Sequence, residues 1–436
     1  MSDLPASWVE TTLGEIASLI TKGTTPTSLG FHFQSSGIPF VKIENIKDWK
    51  INKSSIGDFI SNECHDALKR SQLAEGDVLF SIAGTIGKTA VVDKDSIPAN
   101  TNQAVAIIRG TSNVILPRLL MLELAFLADD FAKKNARGGA MNNISLGDIK
   151  SLTLSIPPLN EQKRITDKLN SLLARVDSCQ THLERVPQIL KRFRQSVLAA
   201  ATSGRLTEDW REKQGRDLSD WTETTVGNLI DDIEAGINYK CEERPPLSHE
   251  RGLVKISAVT WSEFNDEESK TLPTNRDVPK STRIKVGDFL ISRANTIELV
   301  AACVIVKQVN RPVYLSDKVL RIVMRDEIKL WLLYWLRSSY GRSQIESLAS
   351  GNQLSMRNIS QANLKLIQVN LPKQDEIDEI VRRVEKLFTY AAKLETRYTS
   401  ASEHVERLTP SLLAKAFRGE LVGQDAGDEF RNKVGD

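Results

Sequence analysis

Two stretches of the chain place apolar residues at alternating steps of four and three. The first runs Ile165, Leu169, Leu172, Val176, Cys179, Leu183, Val186, Leu190, Phe193 and Val197. The second runs Ile380, Val384, Leu387, Ala391, Leu394, Tyr398, Ala401, Val405, Leu408 and Leu412, each 215 residues further on. A step averaging 3.5 keeps one narrow stripe on one helix face, which is the a/d seam of a coiled coil. Each pattern predicts a helix of about 40 residues, roughly 60 Å long at 1.5 Å per residue. So narrow a stripe needs a partner, and the economical one is the other copy in the same chain. Pro187 should kink the first helix, and Pro410 falls near the end of the second. A proline turn precedes each, "IPPLNEQ" and "LPKQDE", with Asn160 or Asp375 placed to cap the start and a glutamate in the first turn.

The segments in front of these helices carry a different pattern. Short apolar runs, "IPFVKI", "GDVLFSI", "AVAIIRG" and "LTLSI", then "GLVKIS", "GDFLISR", "AACVIV", "KVLRIVM" and "LKLIQV", are broken by Gly, Asn and Asp. They read as strands and turns. Two longer apolar stretches, "PRLLMLELAFLADDFAKK" and "EIKLWLLYWLRSSYGRSQIESL", read as helices, with Trp331 and Trp335 on a core face. These are mixed α/β (α+β) globular domains.

The chain is written twice. "WVETTLGEIA" at 8–17 returns as "WTETTVGNLI" at 221–230, and "EGDVLFS" at 75–81 as "VGDFLIS" at 286–292. "IPPLNEQKRI" aligns with "LPKQDEIDEI", and "SVLAAATSGRL" with "SLLAKAFRGEL", both at an offset of 215. The offset drifts in the front of each half, between 211 and 215, and is constant in the back. The expected order is a globular domain over 1–158, a coiled-coil helix over 159–204, a linker over 205–220, a second globular domain over 221–372, a second helix over 373–416 and a tail over 417–436. Antiparallel pairing of the helices would relate the halves by an internal pseudo-twofold and separate two variable heads by a fixed length.

Composition narrows the picture. Lys and Arg number 58 against 56 Asp and Glu, so no basic coat covers the molecule, although one basic face remains allowed. The polar start "MSDLPASWVE" does not read as a signal peptide, and no window approaches a membrane span. Cys64, Cys179, Cys241 and Cys303 are far apart and form no C-x-x-C, so neither a zinc site nor a disulfide framework is suggested. A reduced cytoplasmic protein is the simplest expectation.

One stretch, "FSIAGTIGKTAVV", looks like a phosphate loop. The spacing fails, because a G-x-x-x-x-G-K-[ST] loop would need glycine at Ile82. In the second half the same place reads Asn295-Thr296-Ile297-Glu298-Leu299, without the glycine or the lysine. The expectation is a turn between core strands with Lys88 as an exposed positive charge. No catalytic motif appears in either half. Polar and basic turns do appear in equivalent places. In the first half they hold Lys42, Asn45, Lys47, Lys50 and Lys53, then Asn102 and Gln103, then Arg137, Asn142 and Asn143. In the second they hold Lys255 and Ser257, Arg293 and Asn295, Ser316, Asp317 and Lys318, then Asn352, Gln353, Arg357 and Asn358. Arg and Lys suit guanine edges and phosphates, and Asn and Gln suit adenine. These residues, with Lys88, are the candidate DNA contacts. The basic "LKRFRQ" at 190–195 reads as a solvated or subunit-facing helix face.

The whole chain resembles the specificity subunit of type I restriction–modification systems. "IPPLNEQKRI" leading into "KLNSLLARVDS", "VPQILKRFRQSVLAAATSGRLTEDWR", and "EIVRRVEKLFTYA" with "LLAKAFRGEL" look like the central and distal conserved regions of its enterobacterial K-type branch. The resemblance implies two target recognition domains on a pair of antiparallel helices. Each domain would read one half of a bipartite, asymmetric sequence in double-stranded DNA. It implies no catalysis, metal or cofactor on this chain. S-adenosylmethionine, ATP and Mg would sit on two methyltransferase and two restriction subunits, and no membrane would be involved. Two other readings stay open: a coiled-coil scaffold with protein-binding heads, and a stand-alone methyltransferase or ATPase.

Overall fold

The computed structural model describes residues 4–135, 143–247, 249–260, 263–275, 277–353 and 356–425, with backbone alone at 129, 131–135, 352, 353 and 356. The chain forms two compact units, one from 1–183 with 400–436 and one from 184–399.

In the first unit, an antiparallel sheet sets Leu19–Lys22, Val105–Arg109, Val78–Ser81 and Thr89–Val91 side by side. The interior strands read apolar throughout because both faces are covered, and Val105–Ile108 and Val78–Phe80 are buried. One face meets the helix Pro117–Asn135 through Leu119, Leu120, Leu122 and Leu124, and Ile165, Leu169 and Leu173 of the helix Leu159–Leu183 join the same core. The other face closes over Val41, Ile46, Leu73 and Ala99. A smaller sheet orders Phe59–Ile60, Ile38–Val41 and Asn100–Thr101, the last pair parallel. Val9–Thr12 pairs with Thr153–Ile156 just before the long helix begins.

The second unit repeats this plan. Asp232–Ala235, Val319–Val323, Phe289–Ser292 and Cys303–Ile305 form the four-stranded antiparallel sheet, and Thr222–Thr225 pairs with Gln368–Leu371. Trp331 and Trp335 are buried in the core beside it, and the Trp335 Nε1 donates to the Gln368 carbonyl at 2.8 Å. The repeated Gly-Asp of the sequence now has a reason. Asp77 accepts from Ala74 N and from the Arg109 guanidinium, with Nη2 to Oδ2 at 2.7 Å. Asp288 does the same with Lys285 N and Arg321, again at 2.7 Å. Each aspartate closes the turn and neutralises an arginine on the neighbouring strand of the sheet.

Both seam patterns are helical. The first helix is divided, running Leu159–Leu183 and then Val186–Thr202 with Pro187 in the opening turn of the second piece, where its missing N–H costs no bond. The second is one helix, Gln374–Ala416, with Pro410 inside it. In the first unit Leu169 and Leu173 share a core with Leu413, Ala416 and Phe417. In the second Val197, Leu198 and Ala201 share one with Ile377, Ile380 and Val384, and Arg194 Nη2 reaches Glu395 Oε2 at 2.6 Å.

The stripe is wider and less continuous than the a/d pattern implied. Ile165, Leu169, Val176, Leu190, Val197, Ile380, Val384 and Ala391 are buried, and Leu172, Leu183, Val186, Phe193, Leu387, Leu394, Tyr398, Ala401, Val405 and Leu412 are half-buried. Cys179 and Leu408 are exposed, the latter by 42 %, which departs from the seam expectation. Near the heads a further row joins, Leu173, Leu198, Ile377 and Leu413, because the helix also packs on its sheet domain there. The helix starts also differ. Asn160 and Asp375 lie within the first turn rather than capping it, since the proline turns begin the helices one residue earlier. Asp375 pairs instead with Arg216 at 2.6 Å.

Candidate nucleic-acid interface

The phosphate-loop stretch is the hairpin between Val78–Ser81 and Thr89–Val91. Gly87 has φ +91°, and a Cβ there would stand 2.5 Å from that of Ala128, so the turn needs glycine to approach the core helix. Lys88 is not an exposed charge. It is half-buried, and its Nζ donates to the Ile43 carbonyl at 3.2 Å. The turn folds onto the neighbouring loop, and Lys88 ties the two together.

The first head holds several candidate contacts in internal bonds. Asn45 is buried, its Oδ1 accepting from Lys42 N at 2.8 Å and its Nδ2 donating to the Ser55 carbonyl at 2.8 Å. It shapes the loop and cannot also face DNA. Lys42 pairs with Asp58 at 2.5 Å and lies over the Phe33 ring. Asn102 Oδ1 accepts from Ala104 N at 3.2 Å, and Gln103 Oε1 accepts from the Thr25 hydroxyl. Lys47 and Lys50 stay exposed, facing each other across a tight hairpin. Its two turn residues, Asp48 and Trp49, have φ of 51° and 59°, a conformation that glycine or asparagine usually supplies. The hairpin borders a cleft of about 760 Å³ that also holds Lys53, Arg118, Asn170 and Asp177. Burial lowers the Arg118 pKa, with Asp177 opposing. Asn143 is exposed and bridges to Ala83. Arg137 and Asn142 lie outside the described residues.

The second head brings its candidates together. A cleft of about 640 Å³ is lined by Lys255, Ser257, Asn295 and Lys318 from three separate loops, with Lys270, Ser316 and Asp317 beside them and Leu253, Ile256 and Leu299 as apolar wall. Lys255 follows the strand Gly252–Val254, Asn295 ends a short strand after the core strand, and 316–318 leads into Val319–Val323. Ser257 donates to Glu268 at 2.6 Å, and Lys318 pairs with Asp317 at 2.7 Å. Next to the cleft, Ala294–Asn295 pairs with Met356–Asn358, which places Arg357 opposite Asn295. Arg357 Nη1 donates to the Gly351 carbonyl at 2.8 Å. The buried Nε of Arg293 and of Arg357 has no partner among the described residues. Asn358 is exposed, and Asn352 and Gln353 belong to the strand Ser350–Gln353 with side chains outside the description.

One pair of sites escaped the sequence reading. Trp8 Nε1 donates to Glu161 Oε2 at 3.0 Å, and Trp221 Nε1 donates to Glu376 Oε2 at 2.9 Å. Each tie fastens the first strand of a head to the first turn of its long helix. The segment after the partner helix then folds back to close it. In the first unit Gln424 Nε2 donates to Glu161 Oε1 at 2.6 Å. In the second, Thr207 and Arg211 bond Glu376 Oε1 at 2.7 and 2.5 Å, and the Arg211–Glu376 pair is buried. Gly204 and Gly419, at φ +77° and +73°, turn the chain back in each unit. Both tryptophans and both glutamates sit in the repeated segments, and that repetition was the available signal.

Among the described residues, no group of three or more His, Cys, Asp or Glu could hold a metal, and no helix is long and apolar enough to cross a membrane.

A family model described as "Type I restriction modification DNA specificity domain" matches residues 5–188. The StySPI specificity subunit of Salmonella potsdam is 30 % identical over 440 residues, covering 97 % of this chain and 90 % of the relative. The EcoKI specificity subunit of Escherichia coli K12 is 28 % identical over 430 residues, with the same coverage of 97 % and 90 %. Both are named as specificity subunits of type I restriction enzymes, not as catalytic chains. The fold matches a solved HsdS subunit from Thermoanaerobacter tengcongensis with a TM-score of 0.60 at 20 % identity, covering 96 % of this chain and 98 % of the other. A chain solved in work on complex assembly and conformational transition of the type I R-M system gives 0.69 at 20 % identity, covering 96 % and 99 %.

Proposed function

The chain belongs to the family of type I restriction enzyme specificity subunits, and from that premise we propose that it reads a bipartite, asymmetric sequence in double-stranded DNA. The domains over 1–158 and 221–372 each recognise one half-site. The helices over 159–204 and 373–416 set the gap, with 205–220 and the described part of the tail, 417–425, closing the joints. The observation that carries this reading is a repeated frame with unlike polar surfaces. The two sheets and the two Trp–Glu ties are equivalent, while the first head presents a lysine hairpin and the second a donor-lined cleft. Equivalent frames with unlike readers suit two different half-sites.

The chain supplies no chemistry of its own in this reading. It recruits two methyltransferase subunits, which carry S-adenosylmethionine and modify adenine at N6, and two restriction subunits, which use ATP and Mg. Action on chromosomal or invading DNA places it in the cytoplasm. The test is a methylation map. This chain is expressed with its neighbouring methyltransferase subunit in a methylation-free host, and modified adenines are located by long-read sequencing. A bipartite asymmetric motif that disappears when this chain is omitted is the expected result. A soluble two-chain complex that produces no new methylation would overturn the reading and leave a protein-binding scaffold.

A further inference from the structure

The cleft of the second head combines three features. Ser316 is buried, 5 % exposed, and lines the cleft, yet its hydroxyl has no partner among the described residues. Buried hydroxyls are almost always bonded, so an unpaired one on a residue that lines a cleft marks a place where a turn of the side chain would meet a ligand group. Asn295 is already oriented, because its Oδ1 accepts from Thr296 N at 2.9 Å. That leaves its Nδ2 as a fixed donor at the cleft. Lys255 adds an ammonium without an ion pair among the described residues, whereas Lys318 and Lys270 are neutralised by Asp317 and Glu243.

The charge balance decides between two kinds of contact. A phosphate seat needs excess positive charge and gains nothing from an apolar wall. Here most of the lysine charge is cancelled, and Leu253, Ile256 and Leu299 form part of the lining. What remains is directional donation from Asn295, Ser316 and the lysine ammoniums, while the one carboxylate, Asp317, is tied to Lys318. A donor-rich surface matches an acceptor-rich base edge. In the major groove that edge belongs to guanine, with N7 and O6 side by side.

We propose that Asn295, Ser316 and Lys255 are specificity-determining residues of the second head, and that they read a guanine in its half-site. The proposal rests on the reading that the heads bind DNA. The experiment is the same methylation map, run with wild-type chain, Asn295→Asp and Ser316→Ala. Asn295→Asp keeps the bond to Thr296 N and replaces the free donor with an acceptor. Thermal melting and co-purification with the methyltransferase subunit verify that each variant folds and assembles.

Wild-type chain should give a motif with guanine in one half-site. Asn295→Asp should lower methylation of that motif about tenfold or more, through a change at that one guanine position, and leave the other half-site intact. Ser316→Ala should relax the same position or its neighbour. An unaltered motif in both folded variants overturns the proposal, as does equal loss on every sequence, which would mean a phosphate anchor. A wild-type motif without guanine in either half-site overturns it as well. If wild-type chain itself directs no methylation, the DNA reading fails first, and the two failures are told apart.

Discussion

Glu123 stands in the core of the first unit, with Oε1 accepting from Ser155 N at 2.9 Å and Oε2 unpartnered among the described residues. Burial pushes its pKa up from 4.5 to about 8. Below the lower value both folded and unfolded chains hold the proton. Between the two values only the unfolded chain releases it, so stability falls by about 1.4 kcal/mol per pH unit as pH rises, and the loss ends above the folded pKa. Glu123→Gln cannot titrate. Urea unfolding at about pH 5 and about pH 8 should show the variant gaining on wild type at the higher pH; parallel curves would refute the assignment. Arg211 and Glu376 make the opposite case. Both side chains are buried, 5 % and 2 % exposed, so removing one strands the other. Arg211→Leu should cost about 3–5 kcal/mol in equilibrium unfolding. The neutral closure in the first unit loses less, and Gln424→Ala should cost about 1–2 kcal/mol. None of these partners could be read from sequence, because each bond joins residues well over a hundred positions apart, apart from Glu123 to Ser155. Lys88 teaches the same lesson: spacing excluded the phosphate loop, but only the packing of two loops could show where the lysine goes.

At the scale of elements, much of the fold was legible. A heptad repeat copied at a constant offset announced the long helices, and continuous apolar runs bounded by Gly and Asp announced the sheets, because burial on one face imposes a period on a helix and burial on both faces an unbroken apolar run on a strand. What was not legible was competition for one helix face. Ile377, Leu198 and Leu413 fall outside the 3.5 repeat because they pack on a head as well as on a helix. Leu408 keeps the repeat and stays exposed. Leu408→Ala should therefore change stability by less than about 1 kcal/mol, and Leu169→Ala, fully buried, by about 2–5 kcal/mol. Equal effects in thermal or urea unfolding would mean that the seam is continuous after all. The candidate contacts were half legible. Loop position was visible in sequence, yet Asn45 turned inward because an Asn two bonds from a turn is as useful to the backbone as to a ligand.

At the scale of the whole molecule, the near balance of 58 basic and 56 acidic side chains bears on how DNA is held. With so little excess charge, binding on the proposed reading would depend on a few exposed cations such as Lys47 and Lys50. Affinity of the assembled complex for duplex should still fall as salt rises, with each neutralised phosphate adding about 0.9 to the log–log slope. Lys47→Ala with Lys50→Ala should reduce that slope by about two without changing the methylated sequence. A slope unaffected by both changes would place the first head's phosphate contacts elsewhere. The Trp–Glu ties have a consequence on a longer timescale. They lie outside the surfaces proposed to read DNA, and the Trp–Glu bond is alike in both halves, at 3.0 and 2.9 Å, so each head is fastened to its helix in the same way. A crossover inside the front segment replaces what is read and leaves the joint untouched. On the proposed function, a lineage carrying such a chain would acquire a new address for its methylation in one recombination event, while the partner subunits would inherit nothing new.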